Sequence, residues 1–171
     1  MPPPFMRARS LVLYESKVIE AVRALKYKGQ RGLAPLLGRW MAEALPDLMG
    51  GVRYDCLVPV PLHWRRRWER GFNQAELLTV PIAAALGVSL EECLARGRAT
   101  RKQARLGQKE RQENLSDAFF VPREARQRVK DATLLIVDDV FTTGATTAAC
   151  ARCLIEAGAG RVDVLTFARA A

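Results

Sequence analysis

Apolar residues recur along this chain with two different periods, and the way those periods alternate sets out a fold. Val18, Ile19, Val22 and Leu25 share one face of a helix running from Glu15 to Tyr27, and a second helix from Leu33 to Leu45 follows the Gly29/Gly32 break. Tyr54 to Val60 reads as the first strand and ends in a loop rich in proline and arginine. Asn73 then caps a helix that continues to Leu86 and is closed by Gly87. Leu90 to Arg98 and Asp117 to Val121 read as short strands on either side of a polar, basic segment, Ala99 to Asn114, which has no apolar period. The apolar run Leu134-Leu135-Ile136-Val137, closed by Asp138 and Asp139, fits a core strand buried on both faces of a parallel sheet. An alanine-rich helix from Ala145 to Ala157, the Gly158/Gly160 break and a last strand from Val162 to Ala168 complete the chain.

Helices alternating with short hydrophobic strands imply an α/β fold with a parallel sheet flanked by helices, in which ligands bind at the C-terminal ends of the strands. The expected division is a small helical cap over residues 1–50 and a sheet domain over residues 51–171, together one compact unit.

Chemistry concentrates first in the turn after the acid pair. In Thr142-Thr143-Gly144-Ala145-Thr146, backbone N–H groups and hydroxyls can surround phosphate oxygens, Gly144 admits a close approach, and the following helix N-terminus adds partial positive charge. A phosphate monoester suits this turn; an ordinary strand-to-helix connection is the alternative. Carboxylates facing a phosphate would repel it, so Asp138 and Asp139 are better placed to accept from vicinal ribose hydroxyls or to help hold Mg²⁺.

Two basic stretches add to this. Arg65, Arg66, Arg67 and Arg70 follow the stiffening prolines Pro59 and Pro61, and guanidinium groups match the oxygens of a diphosphate in bidentate geometry. A solvated arginine run is the other reading, and Asn73 and Gln74 are better explained as a helix cap and its neighbour. Arg98, Lys102, Arg105 and Lys109 lie in a segment to Arg111 with a single acid, Glu110, and are candidates for a basic lid or for a solvated loop; Arg111 and Asn114 can also be structural.

With 171 residues, 49% of them hydrophobic, the chain can bury one sizeable core. No apolar run approaches the ~20 residues of a membrane span. The start around Pro2-Pro3-Pro4 does not read as a secretory signal, so a cytoplasmic location is expected. Cys56, Cys93, Cys150 and Cys153 sit among apolar neighbours, as reduced buried thiols do. Cys150 and Cys153 have a C-x-x-C spacing, but mid-helix, and zinc would need two further ligands; the single histidine, His63, belongs to another segment. Core packing is the main reading for this pair, redox or metal binding the other, and no zinc site is expected. A net charge of +9 with pI ≈ 9.9 is compatible with nucleic-acid binding, with Trp64, Trp68 and Phe72 among the arginines as stacking platforms, although no helix-turn-helix or RNA-binding motif is visible.

The run from Thr133 to Thr147 resembles the phosphoribosyl diphosphate (PRPP) motif of type I phosphoribosyltransferases. Together with Val58-Pro59-Val60-Pro61-Leu62-His63-Trp64-Arg65-Arg66-Arg67, Arg70-Gly71-Phe72-Asn73-Gln74, and the block from Arg98 to Phe119 with Thr100, Gln103, Arg111 and Asn114, it resembles the ComF family of competence-associated proteins over about Ser10 to Ala170. The resemblance implies a type I phosphoribosyltransferase-like fold. It also implies PRPP as ligand with Mg²⁺, pyrophosphate held by the loop after the first core strand, and a basic lid closing over both. Participation in uptake of single-stranded DNA, with competence-machinery proteins as partners, follows from the same resemblance. Many relatives carry an N-terminal four-cysteine zinc ribbon that this sequence does not show, either because this member lacks it or because its start is truncated. Thr142 stands where purine-salvage relatives carry an aspartate base, and only about two dozen residues follow the motif, too few for the hood that holds a nucleobase in many of them. No catalytic residue is therefore assigned. Two readings remain: a Mg²⁺-dependent phosphoribosyltransferase, or a noncatalytic factor that binds PRPP or handles single-stranded DNA.

Overall fold

The computed structural model describes residues 3–27, 30–97 and 118–170 and shows one parallel sheet between two helical layers. In chain order the elements are β1 (Arg7–Leu13), α1 (Ser16–Tyr27), α2 (Leu33–Met49), β2 (Cys56–Pro59), α3 (Trp64–Arg70), α4 (Gln74–Leu86), β3 (Ser89–Leu90), β4 (Ala95–Arg96), β5 (Phe119–Phe120), a 3₁₀ turn (Arg123–Ala125) leading into α5 (Arg126–Val129), β6 (Thr133–Phe141), α6 (Ala145–Glu156) and β7 (Arg161–Arg169). The sheet has the order β1-β7-β6-β2-β3 and every pairing in it is parallel. β4 and β5 form a separate antiparallel ribbon.

The core explains the sequence pattern. Leu134 and Ile136 of β6 pack into one layer with Val58, Cys150, Leu154 and Val164. Leu135 and Val137 pack into the other with Leu57, Leu78, Ile82 and Leu165, beneath α1 and α2. Both faces are therefore dry, which is why β6 from Leu134 to Val137 reads as an unbroken apolar run. The alternation changes phase at the acid pair: Val140 joins the layer of Val137, whereas Phe141 packs with the layer of Ile136. At Gly38, α2 meets α4 so closely that a Cβ would lie 2.3 Å from Pro81 Cγ and 2.6 Å from the Leu78 carbonyl oxygen. Side-chain volume at that position would push the two helices apart.

Three elements differ from the sequence expectation. Arg7–Leu13 is a strand, paired from Arg7↔Asp163 to Leu13↔Arg169 on β7, so Tyr54 to Val60 contributes the second strand of the chain rather than the first. The stretch read as one strand from Leu90 to Arg98 is divided between the end of β3, on the main sheet, and β4, in the ribbon. The arginine run after β2 is a helix, α3, rather than a loop. At the N-terminal end of the strands, buried Asp163 accepts from the Tyr54 hydroxyl at 2.8 Å and from Arg161 at 3.0 and 3.1 Å, and burial followed by that contact raises the Tyr54 phenol above its ordinary value. Among the described residues no helix is long and apolar enough to cross a membrane.

Candidate functional site

The turn between β6 and α6 lies at the C-terminal edge of the sheet. The acids do not close β6; the strand runs on through Asp138, Asp139 and Val140 to Phe141, leaving only Thr142, Thr143 and Gly144 between strand and helix. Such a short link demands a reversal, and Gly144 supplies it with φ 74° in the left-handed region. A Cβ there would meet Phe141 Cζ at 2.5 Å. The Phe141 ring stands edge-on to Phe5 at 6.5 Å and carries the Arg169 guanidinium 5.8 Å from its centroid. Thr143 Oγ1 accepts from the Ala145 N–H at 3.3 Å, and the buried Thr147 hydroxyl donates to the Gly144 carbonyl at 3.0 Å. Thr142 and Thr143 are exposed, and Ala145 and Thr146 begin the first turn of α6, whose N–H groups have no intrahelical acceptor. The five phosphate-cradle candidates thus occupy one contiguous strand-turn-helix junction.

Beside this turn the two acids differ. Asp139 is 4% exposed, and its Oδ2 lies 2.7 Å from Lys26 Nζ on α1. Asp138 Oδ1 accepts from the Asp139 N–H at 2.8 Å. Burial, then the neighbouring Asp139 carboxylate, pushes the Asp138 carboxyl well above the usual range, against the opposing effects of that N–H and of Lys26. Lys26 was not singled out from sequence, yet a signal existed: it stands four residues after Val22 on the buried face of α1, an unusual position for a lysine. Lys26 already supplies the cation that Asp139 faces, and burial disfavours the charged form of Asp138, so direct chelation of Mg²⁺ by the pair would have to displace the lysine.

Helix α3 distributes the arginines over more than one face. Arg67 reaches Glu92 at 3.5 Å and Glu76 at 3.8 Å, and Arg70 donates to Gln74 Oε1 at 3.1 Å. Arg65 and Arg66 are exposed, as is Trp68, at 86%. His63 caps the helix by accepting from the Arg65 N–H at 3.3 Å through Nδ1; partial burial, then Arg96, Arg65 and Arg66, hold its pKa below the ordinary 6.5. Asn73 caps α4 by accepting from the Ala75 N–H at 3.1 Å, and it donates to the Val60 carbonyl at 3.0 Å, which ties the loop leaving β2 to that helix.

Arg96 is a further basic residue near these elements, which no motif in the sequence marks; its guanidinium lies 5.1 Å from the Phe119 ring centroid. The lid candidates Arg98, Lys102, Arg105 and Lys109 lie outside the described residues. Cys150 is buried, and burial followed by Asp138 raises its thiol well above the ordinary value; Cys153 Sγ donates to the Phe119 carbonyl at 3.2 Å. Among the described residues no group of three or more His, Cys, Asp or Glu is placed to hold a metal ion.

No protein-family model matches the chain. It is 36% identical over 174 residues to the DNA utilization protein YhgH of Salmonella typhimurium, covering 98% of this chain and 74% of that protein. Competence protein F of Haemophilus influenzae is 33% identical over 153 residues, covering 87% and 66%, and competence protein ComFC of Bacillus subtilis is 30% identical over 173 residues, covering 94% and 63%. Among solved structures, the chain is similar to glutamine PRPP amidotransferase from B. subtilis, with a TM-score of 0.55 at 22% identity. The match covers 80% of this chain and 26% of the amidotransferase, so it concerns about a quarter of that enzyme. The parallel sheet, its flanking helices and these similarities lead to one assignment: the chain belongs to the ComF family and is built on the type I phosphoribosyltransferase fold.

Proposed function

We propose that this protein binds PRPP at the junction of β6 and α6 and transfers its phosphoribosyl group, in a role linked to DNA uptake. One observation carries the reading: a short Thr-Thr-Gly turn between an acid-bearing strand and the N-terminus of a twelve-residue helix. The ligand's 5′-phosphate sits in the turn, accepting from N–H groups at the start of α6 and from the hydroxyls of Thr142, Thr143 and Thr146. Its ribose hydroxyls face Asp138 and Asp139. Breaking the bond from ribose C1′ to pyrophosphate develops positive charge on the sugar and negative charge on the leaving group. In this reading the developing charge on the sugar is offset by the carboxylate of Asp139, which Lys26 holds, and the leaving group by the cations of α3, which follows β2, the neighbour of β6 in the sheet. Mg²⁺ would be carried by the diphosphate of the ligand, with Asp138 and Asp139 acting on it only through hydroxyls or water, and it would supply positive charge to the leaving group. The link to DNA uptake draws on the names of the relatives, DNA utilization and competence proteins.

A second reading, a noncatalytic factor that binds PRPP or single-stranded DNA, is favoured by the motif turn itself: Thr142, Thr143 and Gly144 include no side chain that could serve as a base. Calorimetry with PRPP, with and without Mg²⁺, tests what the two readings share. Binding that Asp138→Asn/Asp139→Asn abolishes supports the site, and unchanged affinity in that double variant removes it. Pyrophosphate release that depends on an added base or amine separates the enzyme from the binding factor.

A further inference from the structure

The link that joins α1 to α2 carries a basic residue to the end of the arginine helix. Arg31 is exposed, and its carbonyl accepts from the Ala34 N–H at 3.1 Å, so its backbone is fixed where α2 begins. Its guanidinium carbon lies 4.7 Å from the centroid of the Phe72 ring, on the turn between α3 and α4. Gly71 makes that approach possible. It ends α3 in the left-handed region with φ 72°, its N–H bonded to the Arg67 carbonyl at 2.8 Å, and a Cβ added there would lie 3.1 Å from Arg31 Nη2. Glycine therefore serves twice at this position, for the backbone and for the room that the guanidinium uses.

Such a contact positions a cation without neutralising it. Phe72 is buried, so its ring is a fixed support. The ring attracts the guanidinium but offers no oxygen acceptor, and the stack itself ties none of the N–H donors of Arg31 to one. Arg70 immediately precedes the turn and donates to Gln74 Oε1 at 3.1 Å, while Asn73 donates to the Val60 carbonyl at 3.0 Å and so anchors the turn beside the C-terminal end of β2. Two arginines from distant parts of the chain thus come to one turn, at the edge of the sheet where ligands of such folds bind.

The end of α1 sets the direction. Lys26, five residues before Arg31, faces Asp139 at 2.7 Å. The stretch from α1 to α2 therefore starts at the acids that face the sugar in the reading above and arrives at the turn that follows the arginine helix, the side of the leaving group. Like charges brought to one turn favour a polyanion there, and a diphosphate can offer each guanidinium a pair of oxygens.

We propose that Arg31, held over the Phe72 ring, binds the diphosphate of PRPP, so that the N-terminal helices supply a cation to the leaving group as well as a partner to the acid pair. The identity of the ligand rests on the PRPP reading; a free diphosphate would bind the same residue without it.

Calorimetry in the presence of Mg²⁺ compares PRPP, inorganic pyrophosphate and ribose 5-phosphate, which lacks the diphosphate. Arg31→Gln is expected to weaken PRPP and pyrophosphate by about 10-fold, as for a lost hydrogen bond to a charged group, and to leave ribose 5-phosphate unchanged. Arg31→Lys keeps the charge without the planar fork, and its affinity is expected to fall between those of wild type and Arg31→Gln. Because Arg31 is exposed, neither change disturbs the core. Phe72→Leu is expected to weaken pyrophosphate less, with no further loss when it is combined with Arg31→Gln; losses that add would overturn the part given to the ring. Equal weakening of all three ligands by Arg31→Gln overturns the proposal, since that would mark a general loss of charge or a structural effect. PRPP binding that Arg31→Gln leaves intact overturns the proposal alone. Pyrophosphate bound through Arg31 by a protein that does not bind PRPP overturns the PRPP reading and leaves the proposal standing, and wild-type protein that binds none of the three overturns both.

Discussion

Lys26 on α1 and Asp139 on β6 meet at 2.7 Å, with the aspartate side chain 5% exposed and the lysine 22%. This contact joins α1 to the acid pair of the motif strand. Removing one partner has unequal consequences. Lys26→Gln strands a buried carboxylate, whereas Asp139→Asn leaves an ammonium that is close enough to solvent to turn outward. Urea denaturation of Lys26→Gln is expected to show a loss of about 2–3 kcal/mol, with a smaller loss for Asp139→Asn. The double variant is expected to be more stable than the sum of the single losses predicts, and strict additivity would mean that the pair contributes nothing.

Gly144 provides a second measurable constraint. Alanine there needs both the left-handed φ of 74° and room that the Phe141 ring occupies at 2.5 Å, whereas Gly87 has a similar φ of 66° but open space around its added Cβ. Both Gly→Ala substitutions carry the backbone penalty, of about 1–2 kcal/mol. Only Gly144→Ala must also displace a ring. Thermal denaturation should therefore rank Gly144→Ala well below Gly87→Ala, and PRPP affinity should fall in the first alone. Equal melting temperatures would show that Phe141 yields without cost.

Much of this architecture was legible because burial leaves a mark on composition. The first part of β6, Leu134 to Val137, is apolar without interruption since Leu134 and Leu135 face opposite dry layers, and α4 announces itself through a capping Asn73 and a closing Gly87. β1 left little mark. As an edge strand it is half-exposed, and Arg7, Arg9 and Leu13 face solvent, so no apolar alternation stands out. The helix α3 was hidden for a related reason: its residues from Arg65 to Glu69 are all exposed, so no apolar periodicity marks that stretch. In the site, the residues of the motif turn are contiguous in sequence and could be read together. Lys26 and Arg96 come from distant segments, and their relation to the motif exists only once the sheet has brought those segments to one edge.

The lone histidine offers a clean titration. Partial burial, then the positive charges of Arg96, Arg65 and Arg66, disfavour the imidazolium of His63, and its Nδ1 is engaged as an acceptor at the start of α3. With the folded pKa depressed below 6.5, the contribution to stability is fully present above that pH and is lost as pH falls through the folded value, when protonation also removes the helix cap. NMR of the imidazole Cε1 proton should give a midpoint below 6.5, moving upward when an anion binds at those arginines. A midpoint at or above 6.5 in the free protein would contradict the electrostatic picture of this loop.

The position of the arginines also decides what a DNA-binding experiment should find. Arg67 is exposed but lies 3.8 and 3.5 Å from Glu76 and Glu92, so acids offset part of its charge before any ligand arrives; Arg65 and Arg66 are exposed on the same helix as Trp68. If α3 guides a single strand, Arg65→Ala/Arg66→Ala should weaken binding and reduce the salt dependence by about 0.7 in log–log slope for each arginine that neutralises a phosphate. Arg67→Ala should alter that slope little and instead loosen the contact of α3 with α4. Trp68→Ala should cost affinity without changing the slope, because stacking on a base releases no counterions. Fluorescence anisotropy with a mixed-sequence oligonucleotide over a range of salt separates these three effects. A slope that falls as much in Arg67→Ala as in the Arg65/Arg66 double variant would place the strand across the Glu76–Glu92 side of the helix. A slope unaffected by either would remove α3 from the DNA path and leave the net charge of +9 as a general attraction.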